Sequence, residues 1–172
     1  MRERIKMSSR KRRNSNESII NIVRGVFDAK GWMYNYNPIT GTISASFRIG
    51  DGNDANSLIM MLSIVGDYLL NCCQLPVSFS SEALTEVAEY LHRVNYMLLN
   101  GCFELDYAAQ QCRYKSVLPI KGMSFYTDPE SLVCDMITLP CKMWEYFGEG
   151  LEKVANGASP VEAFNAIYKS TT

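Results

Sequence analysis

The chain has 172 residues, enough for one domain with a substantial core, and 47% of them are hydrophobic, which is ordinary for a globular protein. Residues 1–13 hold seven of the 17 Lys and Arg residues but only one of the 18 acids, so the rest of the chain carries a net charge of −7. No stretch reaches the roughly 18 consecutive apolar residues of a transmembrane helix, and no apolar run follows the basic head as it would in a secretory signal. A membrane-spanning or secreted protein is therefore not predicted.

The basic head, residues 1–15, is expected to be a flexible tail before a single domain formed by residues 16–172, because it has too few apolar residues to pack. Its densest charge cluster could instead contact an anion, either the phosphates of a nucleic acid or an anionic membrane surface. The residues that would make such a contact are Arg10, Lys11, Arg12 and Arg13. The flexible tail is the preferred interpretation, so nucleic acid is not the expected partner.

The start of the domain predicts a helix followed by a hairpin. The helix begins at an N-cap at Asn16 and ends at a C-cap at Gly31, with apolar residues at helical spacing between them. Segments 32–37 and 42–49 then predict two strands. In 42–49 apolar and polar residues alternate strictly, which indicates a half-buried antiparallel strand.

A second hairpin is predicted from two apolar segments, 57–65 and 68–75, which Gly66 and Asp67 separate. A helix through 58–73 is the competing interpretation, because the apolar runs are continuous rather than alternating. The preceding loop, 50–56, contains two aspartates and two asparagines but lacks the closing glutamate of a calcium-binding loop. A metal site is not predicted there.

The most clearly amphipathic helix follows an N-cap at Ser80 or Ser81 and is expected to stop at Gly101. Asn95 lies within its apolar face, which is unusual for a polar side chain. The other members of that face recur at steps of three and four: Leu84, Val87, Ala88, Leu91, Val94 and Leu98.

Two alternating segments, 102–107 and 112–120, predict another hairpin after this helix. Its solvent side carries acidic residues on one strand and basic residues on the other. They could form cross-strand charge pairs between Glu104 or Asp106 and Arg113 or Lys115.

A third helix begins at an N-cap at Asp128 with proline at the next position, and Pro140 interrupts its apolar stripe. Proline has no amide hydrogen, so the carbonyl of Met136 loses its helical partner and the helix must kink or break. Gly148 and Gly150 are expected to end it, and a short last helix over 159–169 follows.

The predicted order is therefore α-β-β-β-β-α-β-β-α-α. Runs of strands separated by helices, rather than strict alternation, are typical of the α+β class. We expect an antiparallel β-sheet with helices packed mainly on one face.

No catalytic or cofactor-binding pattern is present. His92 is the only imidazole, and its position beside the core-facing Leu91 places it on the flank of a helix. The six cysteines form no C-x-x-C pair, so neither a zinc site nor a redox motif is predicted, and reduced buried thiols are expected. We predict that the protein is not an enzyme and has no cofactor or metal.

Two residue sets are candidate binding surfaces. Aromatic residues on the predicted strands could stack on single-stranded nucleic acid, although such residues more often belong to the core: Trp32, Tyr34, Tyr36 and Tyr68. Soft apolar residues of the interrupted third helix could contact a second copy or a partner helix, or could close the core: Met136, Met143, Trp144 and Phe147.

Residues 84–118 resemble the YbjN family, which shares the fold of type III secretion chaperones. The family pattern is a helix with a small polar asparagine, a glycine-containing turn, a strand bearing phenylalanine and a second strand with Arg and Tyr before a leucine. Here these features fall on Asn95, Gly101, Phe103, Leu105, Arg113, Tyr114 and Leu118. The order of elements over 16–147 also fits, whereas the basic head and the last helix lie outside the resemblance.

The resemblance implies a structural role for Asn95, whose side chain would bond backbone groups where its helix packs on the sheet, near a two-fold dimer contact. It also implies a bacterial regulator of sensory transduction, or a small acidic homodimeric chaperone that holds segments of other proteins. We therefore expect a non-enzymatic, cytoplasmic, chaperone-like or regulatory module that forms a homodimer and binds another protein. The alternative is a regulator whose basic head contacts nucleic acid or anionic lipid.

Overall fold

The structure, a computed structural model, describes residues 2–49, 57–121 and 127–170, apart from the side chains of residues 2–15 and 168–170. Within these ranges four helices and six strands follow one another in the predicted order, so the predicted α+β class is confirmed. Their bounds are α1 (Arg2–Lys30), β1 (Asn35–Asn37), β2 (Thr42–Arg48), β3 (Ser57–Val65), β4 (Tyr68–Ser78), α2 (Leu84–Met97), β5 (Cys102–Asp106), β6 (Gln111–Pro119), α3 (Pro129–Ala155) and α4 (Pro160–Ser170).

The six strands form one antiparallel sheet in the order β1-β2-β3-β4-β6-β5. Because side chains alternate across a strand, one face of the sheet is buried under the helices and the other is much more exposed. Fully buried side chains of the covered face include Ile43, Leu58, Met60, Leu62, Leu69, Cys73 and Tyr114.

The second hairpin forms as predicted, and the helical alternative for 58–73 is wrong. Val65 pairs with Tyr68 across a two-residue turn in which Gly66 has a φ of +63°. A left-handed turn of this kind matches the twist of adjacent antiparallel strands, and glycine adopts it without steric cost.

Helix α1 begins at Arg2, so the predicted start near Asn16 is wrong. Residues 2–15 contain no glycine or proline and several good helix formers, and adding residues to a helix already anchored by packing requires no new nucleus. The anchored part buries an apolar stripe of Ile19, Ile20, Val23, Val26 and Phe27.

Helix α2 is preceded by a 3-10 turn, Ser81–Ala83, and its N-cap is Ala83 without a side-chain hydrogen bond. Ser80, one of the two predicted caps, is the N-cap of this turn but makes no side-chain cap hydrogen bond, and it caps α2 only indirectly, because the backbone bond from Ala83 N to Ser80 O (3.1 Å) already continues the helical path. The helix also ends at Met97 rather than Gly101.

Helix α3 begins as predicted, with Asp128 Oδ1 accepting a hydrogen bond from the amide of Ser131 (2.9 Å). Its predicted end at Gly148 is wrong, because one helix continues through both glycines to Ala155. Gly148 and Gly150 serve packing instead: a side chain at these positions would overlap the ring of Trp144 or the hydroxyl of Tyr90.

Helix α4 starts with the amide of Glu162 bonded to Ser159 Oγ (3.4 Å), in line with the predicted capping residue. It packs against both α2 and α3, so the last helix belongs to the core of its own chain.

A buried side chain from the sheet compensates for the proline in α3. Pro140 offers no hydrogen to the carbonyl of Met136, and Asn71 Nδ2, on β4, donates to that carbonyl at 2.9 Å. Asn71 is fully buried. The helix therefore passes through Pro140 without breaking, and the same bond ties its midpoint to the centre of the sheet.

We predict that Asn71 and Pro140 are energetically coupled. Asn71→Ala leaves the buried Met136 carbonyl unpaired and should lower the free energy of unfolding by about 2–3 kcal/mol. In a Pro140→Ala background the restored amide can bond this carbonyl, so Asn71→Ala should cost about 1 kcal/mol less. Urea unfolding of the four proteins of this cycle measures the coupling, and strictly additive costs would show that Asn71 does not replace the missing amide.

Candidate functional site

Asn95 joins the last turn of α2 to the start of β5. Its Nδ2 donates to the carbonyl of Phe103 (2.9 Å), and its Oδ1 accepts from the amide of the same residue (2.8 Å). Both ends of one side-chain amide are thus satisfied by a single strand residue, in the manner of a backbone pair. This geometry explains how a polar side chain is tolerated on the apolar face of the helix.

The segment between α2 and β5 is fixed by a second contact. The hydroxyl of Tyr114, on β6, donates to the carbonyl of Asn100, and burial raises the pKa of this tyrosine to about 12. Gly101 has a φ of +78°, and a Cβ there would lie 2.5 Å from the Tyr114 hydroxyl and 2.8 Å from the carbonyl of Lys115. The turn therefore accepts only glycine at position 101, and the hydrogen bond from Tyr114 fixes the backbone of residues 98–100.

Helices α2 and α3 are joined by a buried tyrosine. The hydroxyl of Tyr90 donates to the carbonyl of Phe147 (2.8 Å), close to the space that Gly150 leaves open. Burial raises the pKa of Tyr90, so the hydroxyl stays protonated as a donor. The ring of Phe147 meets Phe103 edge to face, with centroids 6.2 Å apart.

These contacts leave an open depression, which we call the apolar groove, between the end of α2, the middle of α3 and α4. Its cavity volume is about 510 Å³. It is lined by Met97, Leu98, Leu99, Asn100, Leu139, Met143, Tyr146, Phe147, Phe164 and Ile167. The groove walls remain partly exposed to solvent: Leu99 is fully exposed, and Tyr146 is 57% exposed.

The composition of the groove favours binding over catalysis. Its volume lies in the range of ligand-binding clefts. The lining residues just named include no carboxylate, imidazole or thiol, and their polar groups are the Asn100 amide and the Tyr146 hydroxyl. Methionine and leucine side chains adapt to differently shaped apolar partners. The groove can therefore hold an apolar segment but offers no evident acid, base or nucleophile.

The predicted surface on α3 divides into two parts. Met143 and Phe147 line the groove, whereas Met136 is 4% exposed and belongs to the core, so its assignment to a partner surface is wrong. The reason is that Met136 faces the sheet on the side where Asn71 bonds its carbonyl. Trp144 is half-buried against Gly148 and does not line the groove.

Sequence reasoning missed the residues that other elements contribute to the groove. Leu98 and Leu99 follow the last turn of α2, and Phe164 and Ile167 come from α4. The run of apolar residues that continues beyond the end of a helix was the available signal for Leu99. Nothing local indicated that α4 would pack beside it.

The predicted cross-strand charges form partly as expected. Glu104 accepts hydrogen bonds from Arg113 (2.8 Å) and from Lys115. Burial alone would raise the pKa of Glu104, but these two partners outweigh it and lower the pKa. Asp106 instead accepts from the amides of Ala108 and Ala109 and shapes the following turn, so its predicted pairing is wrong.

The other residues of the family resemblance are structural in position. Leu105 and Leu118 are half-buried against the core, and Phe103 meets Tyr114 edge to face at 5.0 Å. Their role as markers of a family stays a prediction. The side chains of Arg10, Lys11, Arg12 and Arg13 lie outside the described residues, and so does loop 50–56.

The four aromatic residues proposed to stack on nucleic acid do not form one exposed surface. Trp32 and Tyr34 pack against Phe27 of α1, and Arg24 lies over the ring of Tyr36 at 5.2 Å. Tyr68 belongs to the opposite face of the sheet, where it is half exposed. The hypothesis that these side chains stack on nucleic-acid bases is therefore wrong, because side chains of α1 pack against the rings of Trp32, Tyr34 and Tyr36.

The remaining titratable groups do not form a second site within the part of the chain that the structure describes. His92 is exposed on α2, and no cluster of three His, Cys, Asp or Glu side chains is placed to hold a metal. All six cysteines are free thiols, and burial raises the pKa of Cys73 and Cys112 to about 12. None of the described helices has the length and apolar character needed to cross a bilayer.

Comparisons with known proteins give a likeness of fold. No family model matches the chain, and no curated protein matches it. A solved structure, YbjN of E. coli, described as a candidate transcription regulator, shares 8% identity over 72% of this chain and 89% of its own, with a TM-score of 0.42. A likeness this distant does not establish membership of the YbjN family.

We predict that Asn95→Asp destabilises the protein in a pH-dependent way. The introduced carboxylate can accept from the Phe103 amide but faces the Phe103 carbonyl without a proton, which should cost about 2 kcal/mol at neutral pH. This contact raises the pKa of the introduced carboxyl group in the folded state, so part of the lost stability should return as the pH falls below that pKa.

Urea unfolding of Asn95→Asp and the unchanged protein between pH 7 and pH 4 tests this prediction. The difference in unfolding free energy between the two proteins should shrink at the acidic end. A constant difference across the range would contradict the two-sided hydrogen bond.

Gly101→Ala should be far more damaging than the same change at Gly31. Both glycines have positive φ, which costs alanine about 1–2 kcal/mol. Only Gly101 also faces Tyr114 and the Lys115 backbone, so its replacement should cost roughly 2 kcal/mol more than that of Gly31. Equal costs by thermal or urea unfolding would show that the close approach at Gly101 is unimportant.

Proposed function

We propose that the protein is a non-enzymatic binding module, of a regulatory or chaperone-like kind, that holds an amphipathic helix of another protein in the apolar groove. The observation that carries the proposal is the groove itself, a cavity of about 510 Å³ with almost wholly apolar walls that stays open to solvent. Exposed apolar concavities of this kind in soluble proteins mark interaction sites.

The shape of the walls supports a helical occupant. Leu139, Met143 and Tyr146 follow one another at steps of four and three on a single side of α3, opposite α4 and the end of α2. A third helix lying between them would place residues i, i+3, i+4 and i+7 in the groove, as in other helix-in-groove complexes. An occupant of this kind needs no catalytic group, in agreement with the lining.

The charge of the domain suggests that the bound partner helix carries basic residues on the side that faces away from the groove. Outside residues 1–13 the chain carries a net charge of −7, which attracts cationic partners and speeds their association. Glu145, beside the groove residue Tyr146, is exposed, as is Glu162 on α4. The preferred partner segment therefore combines an apolar stripe with lysine or arginine on its other side.

A defined peptide tests this function. We expect a peptide of about 18 residues, with leucines at i, i+3, i+4 and i+7 and lysines elsewhere, to bind with a micromolar dissociation constant in fluorescence anisotropy. A peptide of the same composition with leucines at every second position should bind at least ten times more weakly, because its leucines do not share a helix face.

Leu99→Gln should weaken binding of the first peptide at least ten-fold, since it places a polar side chain in the groove wall without changing charge. Ile39→Gln is the matched control, because Ile39 is 94% exposed and lies in the β1–β2 turn, outside the groove. Equal affinity for the two peptides, or equal effects of the two substitutions, would contradict the proposed function.

A further inference from the structure

The apolar groove contains two of the methionines that the structure describes, one from α2 and one from α3. Met97 is the last residue of α2 and is 42% exposed, and Met143 lies half-buried on α3. Both residues therefore line a cavity that opens to solvent. The other residues of the lining carry no sulfur: Leu98, Leu99, Asn100, Leu139, Tyr146, Phe147, Phe164 and Ile167.

The remaining methionines with described side chains fall into two groups that differ in exposure. Met60 and Met136 are buried in the core, where an oxidant dissolved in water does not reach their sulfur atoms. Met33 and Met61 are 91% and 54% exposed, but they lie outside the groove, before β1 and on β3. Of these methionines, only the pair in the groove combines access to solvent with a place in the proposed binding surface.

Most of the cysteine thiols are poor targets for oxidation. Oxidants attack the thiolate form of cysteine, and susceptibility also rises with exposure. Burial raises the pKa of Cys73 and Cys112 to about 12, and it also raises the pKa of Cys72 and Cys141. Four of the six thiols are therefore held protonated at neutral pH.

We propose that the apolar groove is under redox control through Met97 and Met143, whose oxidation to methionine sulfoxide releases the bound helix. This inference rests on the proposed function of the groove. A peroxide transfers one oxygen atom to the thioether sulfur: the O–O bond of hydrogen peroxide breaks, an S–O bond forms, the sulfur loses two electrons, and water leaves. A methionine sulfoxide reductase with a dithiol as its reductant restores the thioether and releases water and a disulfide.

The effect on binding follows from the polarity of the product. Oxidation places a polar oxygen, a hydrogen-bond acceptor, on a side chain that was apolar. Burying that oxygen against the leucines of a bound helix removes its hydrogen bonds to water without offering a donor in return. The oxidised groove should therefore bind the helix at least ten-fold more weakly.

Fluorescence anisotropy with the leucine–lysine helical peptide measures this effect, because the peptide contains no sulfur and is added after the oxidant has been removed. The full chain treated with hydrogen peroxide should bind the peptide at least ten-fold more weakly than the untreated chain. Treatment with both sulfoxide reductases, one for each epimer, should restore the affinity. Mass spectrometry of proteolytic fragments verifies that Met97 and Met143 carry the added oxygen.

Two double substitutions show which sulfur atoms are responsible. Met97→Leu with Met143→Leu keeps the groove apolar and nearly unchanged in volume, so its affinity should survive peroxide treatment. Met33→Leu with Met61→Leu removes two exposed thioethers outside the groove and should lose affinity as the unchanged protein does. Circular dichroism checks folding, and Met97→Leu alone replaces the first double variant if that variant does not fold. Equal losses of affinity in the groove variant and the control variant would overturn the proposal.

Occupancy of the groove should in turn protect its methionines from oxidation. At saturating peptide the oxidation rate of Met97, followed by mass spectrometry, should fall several-fold, because the bound helix covers its sulfur. The oxidation rate of Met33, outside the groove, should not change. Equal oxidation rates of Met97 with and without bound peptide would overturn the proposal.

Failure of the redox control and failure of the proposed function give different results. If the untreated protein does not bind the helical peptide, the proposed function is overturned, and the redox control with it. If the untreated protein binds and oxidation of Met97 and Met143 leaves the affinity unchanged, the redox control alone is overturned.

Discussion

The two-sided amide bond of Asn95 is the contact on which the functional side of this molecule depends. It fixes the end of α2 to β5 through one strand residue, Phe103. Tyr114 holds the segment that follows the helix through the carbonyl of Asn100. Of the two leucines in this segment, Leu98 is half-buried against the core and Leu99 is fully exposed, and both line the apolar groove. A polar residue in the apolar stripe thus fixes the segment that forms one wall of the groove.

A second asparagine plays a comparable part at the centre of the sheet. Asn71 supplies the hydrogen that Pro140 lacks, which keeps α3 in one piece beneath the opposite wall of the groove. The buried position of Asn71 is costly, because Asn71 Oδ1 and Ser116 Oγ, in paired residues of β4 and β6, have no hydrogen-bond partner among the described residues. The amide of Asn71 is needed in spite of this cost, because Pro140 leaves the carbonyl of Met136 without a helical partner. The two asparagines together fix α2 and α3, between which the groove opens.

Local signals in the sequence were sufficient for much of the fold. Strict alternation identified β2, a glycine between apolar runs identified the β3–β4 hairpin, and the Asp128 cap located the start of α3. The polar Asn95 within an apolar stripe correctly pointed to backbone bonds. The predictions that failed concern residues whose roles depend on contacts distant in the sequence. Gly148 and Gly150 have the composition of a helix end, but they are needed for close packing with Trp144 and Tyr90. Met136 was assigned to the surface because nothing local showed that α3 turns this residue toward Asn71. The groove also includes residues of α4, and no local sequence pattern predicts that α4 packs beside α2 and α3.

Binding in the apolar groove is tested most directly by methyl NMR of the protein with the leucine–lysine helical peptide. Methyl signals of Met97, Leu99, Met143 and Ile167 should shift as the peptide is added, whereas those of Ile59, Met61 and Val117, on the sheet face opposite the helices, should not. Shifts confined to that opposite face, or no shifts at saturating peptide, would contradict binding in the groove.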